Sequence, residues 1–516
     1  MQKHNMRTEK KSSIKNSATR LVLIALLVLI QTGWMVFLML KLNAYSTAIT
    51  LTLTFIAVFI ALKIFGTHVN SAQRMPWLIV ITAVPFFGIC IYLLFGRSIV
   101  TKGMRRRFNG IESDILVNKL SQDETVIDEI AAKDKGIANQ CRYISHTARY
   151  PVYKNTDVEY YAEADISFAA QIEELKKAEH FIFMEYHAIE DALSFERLKK
   201  VLIEKAQSGV EVRIFYDDLG SIFFLNKEFI KRMREQGIQC RVFNPLKVVV
   251  NMFMNNRDHR KITVIDGRVG FTGGYNLADE YFNITHPYGY WKDTGIKLTG
   301  DAVRSLTASF LTMWNAIDHT DSQADYDKYL DAADNTYKAV DSECYVQPYS
   351  DNPLGQDRIG EDVYLNILKN AKDYVYITTP YLIITDEMER ELRLAVKRGV
   401  DVRIVTPGIP DKKMVYKITR SYYEPLCSAG VRIYEYTPGF CHAKQWVSDD
   451  EVSVVGTINM DFRSLYLHFE NAVFTYNKGL AAKVKKDMLN NFEAGREVTK
   501  DYAKDVIRPL KLGTCI

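Results

Sequence analysis

Two short runs of this chain carry the same reactive side chains at the same spacing. His259, Lys261, Asp266 and Asn276 form the first run, and His442, Lys444, Asp449 and Asn459 form the second. Matching positions lie 183 residues apart (442 − 259 = 183; 459 − 276 = 183), so each copy reads His-x-Lys, four residues, Asp, with Asn ten positions further on. Two imidazoles, two ammonium groups and two carboxamides suit a phosphodiester. A diester anion is a poor electrophile with a poor leaving group, and a covalent intermediate splits that difficult displacement into two easier steps. One neutral imidazole can attack phosphorus to form a phosphohistidine. The other, protonated, can give its proton to the leaving alkoxide and later take one from the incoming alcohol. Lys261, Lys444, Asn276 and Asn459 can donate to the phosphate oxygens as negative charge builds. This chemistry needs no metal and no other cofactor, and no acidic metal-binding cluster stands out.

Each His needs an acceptor to fix its tautomer. Glu470, in Phe469-Glu470-Asn471, follows the second copy on a predicted strand, and Asp293, in Trp291-Lys292-Asp293, holds the corresponding place after the first. Asp266 and Asp449 complete the motif and count with the catalytic set, although their turn positions suit a structural part better than a direct one. Cys441 beside His442 suggests a metal pair, but on a strand neighbouring residues point to opposite faces. Because both copies are intact, the chain is not expected to be a catalytically dead scaffold.

These residues require strands, turns and a duplicated scaffold. Phe181–Met184 reads as a strand, the following stretch through Leu198, Val201, Leu202 and Ala206 as a helix ended by Gly209, and Val210–Tyr216 as the next strand. The second half repeats this with Tyr374–Ile377, a helix from Glu387 to Arg398, Gly399, and Val400–Val405. Gly-Val-acid-Val-Arg-Ile occurs in both, so a strand–helix–strand unit is duplicated along with the motif. The motif segments read as hairpins: Lys261–Ile265, a turn at Asp266-Gly267, then Val269–Thr272; and Gln445–Val447, a turn at Ser448–Asp450, then Val452–Val455. On a strand, His and Lys at i and i+2 point the same way, so the pair can aim at one phosphate.

At 516 residues the chain exceeds one ordinary core. A formal charge of +4 is small for that length and does not favour nucleic acid as a partner. Seven scattered cysteines without a C-x-x-C pair look like reduced thiols facing a cytosol. Three apolar segments, Leu21–Leu42, Tyr45–Phe65 and Trp77–Phe95, each approach the roughly 20 residues that cross a bilayer. The first is too long for a signal peptide and lacks a small-residue cleavage site. Basic residues precede the first segment and follow the third, and both clusters favour the cytoplasm. Either two segments span and one is interfacial or re-entrant, or one cluster breaks the rule; Pro85 and Gly88 make the third segment the candidate for a kink. The expected division is a basic tail (1–20), a transmembrane region (21–97), a linker with some helix (98–140) and two catalytic halves (141–335 and 336–516). The Val248–Met254 run suits either a buried element or acyl-chain docking, and Lys412, Lys413, Lys417 and Arg420 with Tyr422 and Tyr423 suit either a solvated helix face or lipid headgroups. His187, His286, His319 and His468 read as ordinary surface or core residues.

The paired motifs resemble those of the phospholipase D superfamily over about residues 140 to 516. Their surroundings (Asn256–Ile262, Gly273–Asn276, Trp291–Thr294, Tyr436–Lys444 and, near the N-terminus, Pro76-Trp77 and Pro85–Gly88 through Arg97) are similar to bacterial cardiolipin synthases. Asp258 stands where Asn is more usual, and an additional apolar segment precedes the familiar membrane hairpin. The resemblance implies two α/β halves, each a mixed sheet between helices, meeting face to face as a pseudo-dimer behind the transmembrane helical region. It also implies His259 as nucleophile and His442 as general acid, and transfer of a phosphatidyl group between two phosphatidylglycerol molecules in a cell membrane; the cysteine pattern places the catalytic part on the cytoplasmic face. A hydrolase of the same superfamily and a non-catalytic membrane organiser are the alternatives. Nothing in the sequence assigns an oligomeric state.

Overall fold

The computed structural model describes residues 25–26, 29–34, 36–37, 46–66, 71–93, 102–245, 256–318, 324–331, 337–355 and 357–503. The Val248–Met254 run, His319 and most of the first apolar segment lie outside them. The first half contains β1 (Thr156–Tyr161), β2 (Phe181–Tyr186), β3 (Glu211–Asp217), β4 (Gln239–Phe243), β5 (Arg257–Asp258), β6 (Lys261–Ile265), β7 (Val269–Gly273), β8 (Tyr290–Lys292) and β9 (Gly295–Gly300). The second contains β10 (Tyr345–Asp351), β11 (Tyr374–Thr378), β12 (Leu382–Ile383), β13 (Asp401–Pro407), β14 (Arg432–Tyr436), β15 (Gly439–Cys441), β16 (Gln445–Ser448), β17 (Val452–Gly456), β18 (Met460–Asp461), β19 (His468–Tyr476) and β20 (Gly495–Glu497).

The two main sheets repeat one topology. The first runs β1-β9-β7-β6-β2-β3-β4 and the second β10-β19-β17-β16-β11-β13-β14, with β20 added at the edge. In each, three neighbouring strands are parallel (β2, β3, β4 and β11, β13, β14) and the motif hairpin joins them antiparallel. These are the duplicated units anticipated from sequence. Their helices, Leu193–Gln207 and Asp386–Lys397, are both followed by a glycine in the left-handed region, Gly209 at φ 95° and Gly399 at φ 97°. Only a residue without Cβ adopts that conformation cheaply, so the chain turns there into β3 and β13.

Two equivalent helices lie between the sheets. Val303–Ile317 is buried along almost its whole length, covers the first sheet and touches β10. Phe310 stacks on Phe183 of β2 with ring centroids 4.6 Å apart. Lys478–Ala494 covers the second sheet and reaches back to β1. Fully buried side chains such as Phe310 and Leu311 contribute roughly 1.5–3 kcal/mol each.

The stretch anticipated as a linker folds into helices Lys102–Asn118, Glu124–Lys133 and Lys135–Tyr143. Their apolar faces (Phe108, Ile115, Ile127, Ile130, Cys141) join the same core as both sheets, and the first packs on Val303–Ile317.

Toward the N-terminus, Ser46–Phe65 is 20 residues long, about 30 Å at 1.5 Å per residue, which matches a hydrocarbon core. The following apolar segment is broken. Ser71–Ala83 ends at Val84, and Pro85 opens a second helix, Pro85–Ile91. The break brings Gly88 so close to the preceding helix that an added Cβ would sit 2.5 Å from the Ile81 Cα. Ile64, Ile81 and Ile89 bury one another in a small separate cluster.

Candidate active site

Each motif histidine is placed by a strand pair that crosses between the halves. β5, just ahead of His259, pairs in parallel with the start of β19, Asp258 opposite Phe469. β15, just ahead of His442, pairs in parallel with β8, Cys441 opposite Lys292. One step further along each register, His259 faces Glu470 and His442 faces Asp293. The backbones hold that register: the His259 N–H donates to the Phe469 carbonyl at 2.9 Å, and the His442 N–H to the Lys292 carbonyl at 2.7 Å. The side chains complete it. His259 Nδ1 lies 3.0 Å from Glu470 Oε2, and His442 Nδ1 lies 2.7 Å from Asp293 Oδ2. A carboxylate only accepts, so each Nδ1 carries the proton and each Nε2 keeps its lone pair for the site. The acid that orients each imidazole therefore belongs to the other half.

Burial and charge tune these groups. Burial is the main reason His259 lies well below the ordinary histidine range, outweighing the Glu470 carboxylate. Burial, then the Lys444 ammonium, brings His442 down to about 4. Glu470 is fully buried, which opposes its charge, yet the His259 imidazole beside it holds it well below the usual carboxylate range. Hydroxyl donors help: Thr457 Oγ1 at 2.5 Å and Ser464 Oγ at 2.6 Å. Asp293 is likewise lowered, burial being offset by Lys444 and His442. Burial pushes Lys261 down to about 7 and Lys444 down to about 8. Each ammonium bonds the carbonyl of its own histidine, Lys261 to His259 and Lys444 to His442. The Lys444 charge depresses Lys261, and the Lys261 charge depresses His442, so the two motifs share one pocket. Two buried ammonium groups in one pocket, disfavoured chiefly by their burial, are an arrangement that a phosphate anion would stabilise.

The rest of the motif divides. Asp266 and Asp449, which the sequence grouped with the catalytic residues, sit at the far ends of β6 and β16, about 16 Å along the strand from Lys261 and Lys444 at 3.3 Å per residue. Asp266 accepts from the backbone N–H groups of Glu179, His180 and Phe181 at 2.7–2.8 Å. Asp449 accepts from Lys372, Asp373 and Tyr374 at 2.9 Å. Each adopts a positive φ (51° and 54°) that Asp tolerates, and each clamps the hairpin turn to the entry of β2 or β11. Asn276 and Asn459 also differ from one another. Asn276 accepts from Ala188 N–H at 3.1 Å and donates to the Tyr281 hydroxyl at 2.8 Å. The buried Asn459 Oδ1 has no hydrogen-bond partner among the described residues, and its backbone N–H donates to Ser464.

Comparison with known proteins now decides the family. Residues 171–314 and 364–492 match the profile of the cardiolipin synthase, PLD-like domain, and residues 52–97 match the phospholipase D-nuclease N-terminal profile. A cardiolipin synthase of Geobacillus thermodenitrificans is 33% identical over 482 residues, covering 91% of each chain. The chain belongs to the cardiolipin synthase family of the phospholipase D superfamily. A cardiolipin synthase 2 of Bacillus anthracis is 33% identical over 448 residues (86% of this chain, 85% of the relative), and an uncharacterized protein of Streptococcus mutans is 40% identical over 441 residues (85% and 94%). The fold is shared with the crystal structure of a phosphatidylserine synthase from Haemophilus influenzae, at a TM-score of 0.53 and 15% identity over 70% of this chain and 93% of that one. Membrane association follows for this cardiolipin synthase-family chain from its N-terminal profile and the apolar helix Thr47–Phe65.

In this family member the sequence reasoning missed the residues that make the two histidines unlike. His187 and His468, read as ordinary, flank His259 with ring centroids 5.0 and 5.5 Å away. His442 stands instead among aromatic rings: Trp291 at 5.3 Å, Tyr281 at 5.5 Å and Phe440 at 5.7 Å. One signal was available. His468 precedes Glu470 by two residues as Trp291 precedes Asp293, so on a strand each shares its acid's face. His259, His468 and Glu470 also have ligating atoms within 4.8 Å of one another, a spacing a metal ion accepts. Glu470 already serves His259, Thr457 and Ser464, and two lysines adjoin the group, so this donor set suits an imidazole anchor better than a cation site. Cys441 is fully buried on β15.

Proposed function

We infer that this chain moves a phosphatidyl group from one phosphatidylglycerol to another, giving cardiolipin and free glycerol. The observation carrying this reading is the pair of trans-anchored imidazoles, each with an ammonium at i+2, in one pocket. His259 Nε2 attacks phosphorus, forming the N–P bond as the P–O bond to the glycerol headgroup breaks, and His442 gives its proton to that leaving oxygen. The hydroxyl of a second phosphatidylglycerol then passes its proton to His442 and attacks the phosphohistidine. The new P–O bond forms, the N–P bond breaks, and both imidazoles return to their starting states. His442, held near 4 by burial and the Lys444 ammonium, gains its proton more readily once a phosphate anion lies beside it. The site residues thus take these roles: His259 nucleophile, His442 acid and base, Lys261, Lys444, Asn276 and Asn459 phosphate donors, Glu470 and Asp293 orienting groups.

Transfer and hydrolysis share the first step and differ in what reaches the phosphohistidine. The aromatic wall around His442, together with burial that leaves His259 9% and His442 6% exposed, limits water and supports a lipid acceptor. The low formal charge of +4 supports phospholipid over nucleic acid. Reduced cysteines and the two basic clusters support a multi-pass arrangement with the catalytic body on the cytoplasmic face. The test is purified full-length protein with phosphatidylglycerol and no added metal. Cardiolipin and glycerol in equal amounts are expected; phosphatidic acid as the main product overturns the transferase reading.

A further inference from the structure

Outside the N-terminal helices, large apolar side chains left exposed among the described residues number ten, and half of them (Leu193, Phe223, Ile284, Ile409 and Met414) lie in segments that follow β2, β3, β7 and β13. Single exposed apolar residues need no explanation, but these converge on one edge. β6 runs antiparallel to β2 with Lys261 opposite Tyr186, so the C-terminal ends of the parallel strands are the edge that holds the histidines.

Contacts trace the segments to either side of the opening. On the His259 side, Asp217 at the end of β3 grips Arg257 and accepts from the Asp258 N–H, and Gly220 abuts the His187 ring; Phe223 follows three residues later. On the His442 side, the Ile409 N–H donates to Gly439 of β15 at 3.3 Å, and Met414, 71% exposed, opens the helix Lys413–Ser421. Ile284 follows the turn that carries Tyr281 to His442. Lys412, Lys413 and Lys417 are exposed around Met414. Arg420 and Tyr423 are not part of this face, since Arg420 pairs with Glu435 at 3.0 Å and Tyr423 is fully buried.

We propose that this rim docks on an anionic bilayer, with Phe223, Ile409 and Met414 inserted among the lipids and Lys412, Lys413 and Lys417 against their headgroups. The proposal rests on the phospholipid reading of the site. Apolar tips that insert and lysines that meet anionic headgroups are the two forces that seat a protein surface on such a membrane. The charge is complementary, because phosphatidylglycerol is itself an anion. Docking there also presents the headgroup to the pocket without drawing the acyl chains through water.

The test compares full-length wild type with the double variant Ile409→Asp/Met414→Asp on two substrates: vesicles of phosphatidylglycerol and phosphatidylcholine, and monomeric short-chain phosphatidylglycerol in detergent. The variant is expected to lose roughly tenfold or more in kcat/KM on vesicles and to stay within about twofold of wild type on the monomeric lipid. Equal effects on both substrates overturn the proposal. A second measurement stands apart from turnover. Tryptophan emission from Met414→Trp in nanodiscs, corrected for wild type, is expected to be quenched by brominated acyl chains, and emission that bromine leaves untouched overturns the proposal. Should wild type turn over neither lipid, the phosphatidyl-transfer reading falls, while quenching still decides the docking.

Discussion

Replacing Lys261 by methionine is expected to make the protein more stable and nearly inactive. Lys261 is held at about 7 against an ordinary 10.5, a drop of about 3.5 on the pH scale (10.5 − 7 = 3.5), and burial is the largest cause. At 1.36 kcal/mol per pH unit the charged form costs the folded state on the order of 4–5 kcal/mol. Methionine keeps most of the volume and removes the charge, but it loses the hydrogen bond to the His259 carbonyl, worth about 1 kcal/mol. Relaxation around the site absorbs more, so a net gain of about 1–3 kcal/mol is expected. The assay is thermal unfolding of wild type and Lys261→Met in the same detergent and at the same scan rate, between pH 7 and 9. The sign follows from proton counting. A lysine lowered in the folded state binds fewer protons there than in the unfolded chain between about 7 and 10.5, so wild-type stability rises with pH through that window. Lys261→Met should melt higher at pH 7, and the gap should narrow by pH 9. Turnover should fall at least a hundredfold, because a phosphate donor is lost. A variant that melts lower than wild type at pH 7 refutes the view that this ammonium is strained by its burial until phosphate arrives.

Asp266→Ala should cost about 1–3 kcal/mol of stability, since three backbone N–H groups lose one acceptor, while kcat of the folded protein stays within a few-fold of wild type; a hundredfold loss in kcat without destabilisation would return Asp266 to the chemistry. Gly274→Ala places a Cβ 2.0 Å from Asp293 Oδ1 and must displace that carboxylate, so kcat should drop at least tenfold with little change in KM, and unaltered kinetics would contradict the orienting role of Asp293. Prolonged chelation with EDTA should leave turnover unchanged, because the donors assigned to the phosphate are ammonium and amide groups; loss of activity restored by a divalent ion would assign a metal to His259, His468 and Glu470.

Much of the local architecture is legible in the chain. The motif hairpins, the strand–helix–strand units and the glycines that end their helices follow from period-2 and helical patterning with turn chemistry, all short-range signals. The exchange of orienting acids between halves does not, because it joins residues 211 and 149 apart in sequence. Glu470 and Asp293 were identifiable as acceptors, but which histidine each serves is set by the β5–β19 and β8–β15 registers. The helices of 102–143 read as polar because only one face of each is buried. His187 looked ordinary because its significance comes from the His259 ring beside it. Asp266 and Asp449 show the converse: a fixed spacing from a catalytic residue arises when a strand of set length ends in a turn that must be anchored.

The most direct test of the account is to trap and map the covalent intermediate. A phosphatidyl ester with a p-nitrophenol leaving group needs no proton from His442, so His442→Ala mixed with it should release p-nitrophenol in a burst and hold an acid-labile phosphoryl group. Peptide mapping is predicted to find that group on His259. Modification elsewhere, or a full burst from His259→Ala, would contradict the central claim that His259 attacks phosphorus while His442 handles the proton.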